Sequence, residues 1–340
     1  MMLKYFGGRV GTALLSIMGV TVVVFIVSHV LPGDAAAVRA GQYASPAQIA
    51  QIRTQYGLDK PLMTQLGDYL SGVVQGDLGT SIRTGQPVVS ELTSRLPATL
   101  ELSIAALLVS LLVGIPLGAL AAAKQGTVWD GLVRALTIVV SSTAVFWLGL
   151  MAIFFLCNRL HVFPSPIGRL PRGVEPPAHI TGFFVLDSLL AGKVGLAGTA
   201  FRSLLLPALT LGVVTAAPVI KIVRSAMASA LNSDYVRTAT AFGVPRRTIL
   251  RQDAFRNSLL PVLTSIGIVA GYLIGGNIII EQLFSWPGIG QFAYQSLQAH
   301  DLDAVQGFVL LVGVGYIALN LVLDFGYAAA DPRVELQGAS

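Results

Sequence analysis

The sequence predicts an all-α protein that crosses a membrane several times, and three observations predict it. Charged residues are 11% of the 340-residue chain, against roughly 25% in soluble globular proteins. Hydrophobic residues are 54% and mean hydropathy is +0.73. Soluble domains of this size cannot hide that much apolar surface, so a bilayer must solvate part of it. Third, six stretches lack Lys, Arg, Asp and Glu: 10–33, 102–123, 135–158, 203–220, 257–280 and 304–323. Each runs about 18–24 residues, against the ~20 a helix needs to cross ~30 Å of hydrocarbon. The same composition excludes disorder. The single cysteine, Cys157, excludes a disulfide scaffold and a cysteine zinc cluster. A net charge of +5 and a pI near 9.5 reflect, in so apolar a chain, basic loops rather than nucleic-acid binding.

The elements follow in order. Lys4 and Arg9 precede the first span and Ala35 to Ala37 follow it, as in a cleavable signal. Its apolar run exceeds the ~7–15 residues of a signal h-region, so the span is expected to stay. Segment 34–97 reads as a small helical cap. Ser45 is an N-cap with Pro46 at the first helical position. Ile49, Ile52 and Tyr56 share a face, and Gly57 closes the helix. Pro61 opens a second helix with Leu62, Leu66, Tyr69, Leu70 and Val73 on one stripe. Two readings of the cap stay open, a lid on the spans and a docking surface for a soluble partner. Pro116, Pro207 and Pro218 lie inside spans, which packed membrane helices tolerate. No strand alternation of the barrel kind appears.

Loop charges set the orientation. Segment 221–256 carries Lys221, Arg224, Arg237, Arg246, Arg247, Arg251 and Arg256 against Asp234 and Asp253. Segment 281–303 has Glu281, Asp301 and Asp303 and no base. The positive-inside rule places the first in the cytoplasm and the second outside. With six spans both termini are then cytoplasmic. Segment 159–202 runs against the rule, with Arg159, Arg169, Arg172, Lys193 and Arg202.

Reactive groups are sparse. No Gly-x-x-x-x-Gly-Lys-Ser/Thr loop, His-Glu-x-x-His pair or Gly-x-Ser-x-Gly elbow occurs. His29, His161, His179 and His300 are scattered, and Cys157 reads as inert packing. Ion-coupled carriers bury relay carboxylates near midplane. Here Glu281 borders span five and Asp324 borders span six. Asn277 and Asn320 are the main polar side chains at depth, for interhelical hydrogen bonds or for lining a path. A self-sufficient carrier is disfavoured, so another component must supply the work. With so few charges at depth, the path is expected to be weakly selective. Gly267, Gly271 and Gly275 form a small-residue stripe on span five, for packing or for a sliding interface.

Segment 232–245 is the most informative. Ser233 can cap a helix, with Asp234 in its first turn. Tyr235, Val236, Ala239 and Phe242 share a face, Gly243 suits a left-handed corner, and Pro245 starts a second helix into span five. A short apolar-faced helix outside the membrane fits a partner's groove, or rests on headgroups.

Asp234-Tyr235-Val236-Arg237-Thr238-Ala239, Gly243 and Arg256-Asn257-Ser258-Leu259-Leu260-Pro261 resemble the EAA-type coupling loop of ABC-importer permeases. More narrowly they resemble the first permease subunit of the dipeptide, oligopeptide and nickel class. Further marks fit in order: Leu31-Pro32-Gly33-Asp34, Tyr56-Gly57-Leu58-Asp59-Lys60-Pro61-Leu62, Gly76-Asp77-Leu78-Gly79-Thr80-Ser81 and Arg95-Leu96-Pro97-Ala98-Thr99-Leu100-Glu101-Leu102. Then come Thr181-Gly182-Phe183-Phe184-Val185-Leu186-Asp187, Phe284-Ser285-Trp286-Pro287-Gly288-Ile289-Gly290, Val305-Gln306-Gly307 and Asp331-Pro332-Arg333-Val334. The resemblance spans almost the whole chain. One departure is that Arg237 holds the place of the loop motif's first Glu.

The resemblance implies a type I ABC-importer permease fold of six transmembrane helices in the bacterial inner membrane. Its parts would be a first transmembrane helix at 1–31, an extracytoplasmic helical segment at 32–97, a five-helix transmembrane domain at 98–330 and a cytoplasmic tail at 331–340. The domain would contain an extracytoplasmic insert at 159–202, which accommodates the bases there, and a coupling loop at 221–256. It implies a second homologous permease, two cytoplasmic ABC ATPases carrying ATP and Mg, an extracytoplasmic binding protein and the lipid bilayer as partners, with no nucleic acid and no catalysis on this chain. Asp234, Tyr235, Arg237, Thr238, Ala239, Phe242 and Gly243 would couple to an ATPase. Gly271, Gly275, Asn277, Glu281 and Asn320 are the candidate path residues. Cargo stays open among dipeptides, longer peptides, glutathione, nickel chelates and haem.

Overall fold

The computed structural model describes residues 2–30, 35–40, 44–55 and 57–330. The motif residues at 31–34, Tyr56 and the tail at 331–340 lie outside the described residues. The described chain is helical, with one isolated bridge between Thr80 and Pro87. The helices are α1 (Met2–Val30), α2 (Ala35–Ala40), α3 (Pro46–Gln55), α4 (Leu62–Gln75), α5 (Val88–Ala123), α6 (Val128–Ser142), α7 (Val145–Ala152), α8 (Phe184–Leu190), α9 (Val194–Leu231), α10 (Asp234–Ala241), α11 (Arg246–Thr248), α12 (Leu259–Gly276), α13 (Ile278–Leu283), α14 (Ile289–Gln298) and α15 (Leu302–Ala330). α7 continues as a π-helix over Ile153–Arg159 and α11 over Ile249–Phe255.

Among the described residues, three helices are long and apolar enough to cross a membrane unbroken: Val88–Ala123, Val194–Leu231 and Leu302–Asp324. Two more candidates are bent pairs, Val128–Ser142 with Val145–Arg159 at 98° and Arg246–Phe255 with Leu259–Gly275 at 56°. α1 contains a shorter apolar stretch, Gly11–Val27. Six spans are expected from the sequence, and the stretch 135–158 is bent within its length. Thr143 and Ala144 leave the helical region, with ψ of 132° and 133°. The hydroxyls of Ser141 and Thr143 donate to the carbonyls of Ile138 and Val139, at 3.1 and 2.7 Å. Those bonds satisfy acceptors that a helix end leaves open.

The chain divides into two compact units. The first runs up to Pro97 and includes Pro287–Ala318. Here Ser45 and Gln48 form a capping box: Gln48 N donates to Ser45 Oγ at 3.3 Å, and Ser45 N to Gln48 Oε1 at 2.8 Å. α4 ends on left-handed Gly76, where Asp77 N donates to Gly72 O at 2.8 Å. The unit's core is Val88, Leu92, Ile289, Phe292 and Ala304. Asp301 is fully buried and accepts from Ser81 Oγ at 2.6 Å and from Arg83 N at 3.3 Å. It also caps α15 through Ala304 N. Asp303 pairs with Arg39.

The second unit comprises Ala98–Trp286 and the chain from Leu319 onward. α9 is its hub, with α6, α7, α8, α12 and the second π-helical segment packed against it. Of its apolar window 67% is buried, against 17% for α15. Small residues let neighbours close in on it. A Cβ on Gly114 of α5 would stand 2.7 Å from Val219 Cγ1, and one on Gly212 of α9 would stand 2.5 Å from Val109. Thr210 and Thr215 return their hydroxyls to Leu206 O and Leu211 O at 2.9 Å, so they cost the buried face little. Cys157 is buried, as expected of packing.

Candidate functional site

Two groups of residues within the second unit carry the chemistry. The first is built around α10. Ser233 precedes it in extended conformation without a side-chain cap, and its hydroxyl bonds back to Ala230 O at 2.5 Å instead. The expected capping role is thereby corrected, because a preceding helix end supplied a nearer acceptor. Val236 is buried, Ala239 half-buried and Tyr235 half-exposed, and α10 packs on the second π-helical segment. Asn257 Nδ2 donates to Tyr235 Oη at 3.0 Å.

The expected apolar face of α10 thus divides. One part turns inward onto the chain, while Phe242 stands 85% exposed at the far end. Asp234 and Arg237 face solvent, 3.6 Å apart, in a surface pair that contributes little stability. Thr238 is also exposed. Gly243 adopts φ +77°, and Val244 N donates to Ala239 O at 3.1 Å, closing the helix in a Schellman-like corner. Pro245 then begins α11.

The second group lies where α5 meets α12 and α13. Asn277 Nδ2 donates to Ser103 Oγ at 2.8 Å, and Ser103 Oγ donates to Leu273 O at 3.1 Å. Thr99 Oγ1 donates to Glu281 Oε1 at 2.6 Å. Glu281 is fully buried and Asn277 nearly so. Trp286 Nε1 donates to Ala98 O at 2.8 Å, and its backbone N to Glu281 O at 2.7 Å. Asn277 and Glu281 therefore come together on one polar seam, engaged with α5. Asn320 is exposed and joins neither. Gly271 and Gly275 are half-buried on α12. At Gly267 a Cβ would stand 2.6 Å from Leu323 Cδ1, a close helix approach of the kind the stripe implies.

Beside this seam sits a polar cluster that joins two of the quoted motif stretches, 95–102 and 181–187, through Arg169, which lies in neither. Arg169 pairs with Glu101, both 7% exposed, and donates to Gly182 O at 2.8 Å. Glu101 also accepts from Val185 N at 3.0 Å. The Arg169 guanidinium lies 3.5 Å from the Phe184 ring centre and 5.8 Å from that of Trp286. Burial draws Arg169 below its ordinary range, and Glu101 opposes this; the group stays charged at neutral pH. Asp187, 1% exposed, accepts from Thr181 N, Thr181 Oγ1 and Gly182 N at 2.8, 2.6 and 2.9 Å, and from Ile180 N at 3.3 Å. Burial alone would raise its pKa, but these donors outweigh it and hold the carboxyl below its usual value. One of the five bases that ran against the charge rule, Arg169, thus has a buried partner, and the 180–187 turn is tied to α5. Farther along α9, Asp130 receives a bidentate pair from Arg224 at 2.7 and 2.9 Å.

The family described as "Binding-protein-dependent transport system inner membrane component" matches residues 114–336. The N-terminal family of such membrane components matches residues 2–103. The chain is 46% identical over 320 residues to the probable D,D-dipeptide transport system permease protein DdpB of Escherichia coli K12, covering 94% of each. It is 37% identical to the dipeptide transport system permease protein DppB of the same strain, over 98% of this chain and 99% of that one. It is 38% identical to the di/tripeptide transport system permease protein DppB of Pseudomonas aeruginosa, over 99% of this chain and all of that one.

Proposed function

Because this chain belongs to the binding-protein-dependent transport inner-membrane component family, we propose that it is the permease subunit of an ATP-driven importer of dipeptides or short peptides. The observation that carries the reading is α10: a short helix on a left-handed glycine corner that offers Phe242, Asp234 and Arg237 outward. That surface suits the groove of a cytoplasmic ATPase. ATP and Mg would be held by two such ATPases, a second permease would complete the path, and a binding protein would deliver cargo from outside. ATP-bound partners favour one permease conformation over the other, and α10 carries that preference into the spans. The basic segment around α10 faces the cytoplasm in this reading, and both termini lie there with it. The names of the relatives support peptide cargo.

The path itself holds cargo weakly in this reading. Capturing the ammonium and carboxylate of a dipeptide needs paired charges; Glu281 is already bonded to Thr99, and Asn277, uncharged, gives its amide nitrogen to Ser103. The test is uptake of labelled dipeptide by proteoliposomes containing this chain, its sister permease, both ATPases and the binding protein. ATP-dependent uptake that stops when the binding protein or ATPases are omitted supports the reading. Uptake by this chain alone overturns it. Isothermal titration of the complex without binding protein is expected to show no micromolar peptide site; such a site would overturn the weak-path reading alone.

A further inference from the structure

An apolar cavity of about 580 Å³ lies between the end of α5, α9 and the second π-helical segment. It is lined by Ala119, Leu120, Ala123, Met227, Leu250 and Phe255. Its volume falls within the ~300–1,000 Å³ of ligand pockets. The lining offers a ligand no charge and no hydroxyl, so whatever enters must be hydrocarbon along its length.

The rim has the opposite character. Arg246 Nη2 donates to the carbonyl of Ala123, itself a lining residue, at 2.8 Å. This fixes the guanidinium at the rim with its other donors unspent. Lys124 is the next residue, exposed, with its ammonium 5.1 Å from the centre of the Trp129 ring. Trp129 is 55% exposed, as an indole at a headgroup boundary would be. An arginine bonded to a lining residue's carbonyl, and a lysine one residue farther on with its ammonium beside an indole, therefore adjoin a greasy slot at the end of a helix apolar enough to cross a bilayer.

We propose that this is a binding site for an anionic phospholipid, with an acyl chain in the slot and the phosphate between Arg246 and Lys124. The charges select the lipid class: a zwitterionic headgroup gains less beside two cations and no carboxylate of the pair's own. The site lies beside the element that leads into α10, so an occupied slot would stiffen the base of that element.

Trp129 supplies the readout. The full-length chain, in a Trp147→Phe background that leaves Trp129 and the buried Trp286, is reconstituted into phosphatidylcholine vesicles containing a minor fraction of brominated phosphatidylglycerol or brominated phosphatidylcholine, and each quenching is read relative to a Trp129→Phe control. Brominated phosphatidylglycerol is expected to quench at roughly 30-fold lower fraction, on the scale of two basic groups beside an anionic headgroup. Lys124→Gln with Arg246→Gln should remove that preference and leave phosphatidylcholine quenching unchanged. Ala119→Phe fills the slot and should weaken quenching by both lipids. Arg246→Lys keeps the charge and should keep most of the preference, which separates lost binding from a misfolded chain. Equal quenching by the two lipids, a preference that survives the double glutamine variant, or quenching untouched by Ala119→Phe would each overturn the proposal.

Discussion

At Gly243 a side chain would meet nothing within 4 Å, yet φ is +77°. The penalty for substitution is therefore conformational, about 1–2 kcal/mol for an ordinary residue, and greater for a β-branched one. Gly243→Val is expected to misdirect α10 and abolish ATP-driven uptake while membrane insertion stays normal. Gly243→Asn, which tolerates this region, should retain most uptake; both are read by proteoliposome assays and membrane fractionation. The Glu101–Arg169 pair obeys different physics. Arg169→Met leaves a buried carboxylate uncompensated, a loss of about 3–5 kcal/mol. Thermal unfolding in detergent should show that loss, and adding Glu101→Met should recover most of it. The glycine corner was legible because its signal is local, a glycine just past an amphipathic run. The ion pair was not, because its partners are 68 residues apart and nothing periodic links them.

Elements defined by neighbouring residues were the readable ones. Ser45 capping Pro46–Gln55, and left-handed Gly57 beyond that helix, are decided within a turn of chain. The 98° bend was illegible because its residues, Ser142 to Ala144, are uncharged and small and leave the charge-free run 135–158 unbroken. Packing gives a contrast to test. On Gly114 a Cβ meets Val219 Cβ at 2.8 Å, an atom fixed to the backbone of α9. On Gly267 it meets only the mobile end of Leu323. Gly114→Ala is therefore expected to cost about 1–3 kcal/mol, and Gly267→Ala clearly less, by thermal unfolding of the purified chain. The 180–187 turn adds a pH dependence. Asp187 has a folded pKa below its unfolded value, so its stabilisation is complete above the unfolded pKa near ~3.9. It is lost as pH falls through the lower folded value. Asp187→Asn should lower the unfolding temperature at neutral pH and flatten its fall in acid.

For the whole molecule the open quantity is orientation, and the structure changes how it should be measured. Glu281 and Asp301, read from the sequence as loop charges, are fully buried; a burial decided by distant helices leaves no mark on local composition. The exposed residues Arg247 and Gln298 are the better reporters. The native Cys157 is buried and gives little background. In intact spheroplasts an impermeant thiol reagent is expected to label Gln298→Cys and spare Arg247→Cys. The reverse pattern would invert the orientation.

α9 is unbroken over 38 residues, which at ~1.5 Å per residue is a rod of about 57 Å. That is nearly twice the ~30 Å of hydrocarbon, so its length is set by reach as well as by spanning. Only Asn232 and Ser233 separate it from α10, so, if α10 couples to an ATPase as proposed, a displacement of α10 reaches the rod across only two residues. The rod has two built-in flexure points, Pro207 and Pro218, each lacking a backbone donor. Force applied at the tip is thus partitioned between bending at those joints and moving the helices clasped around the shaft. A stiffer joint would turn more of each stroke into displacement of the bundle.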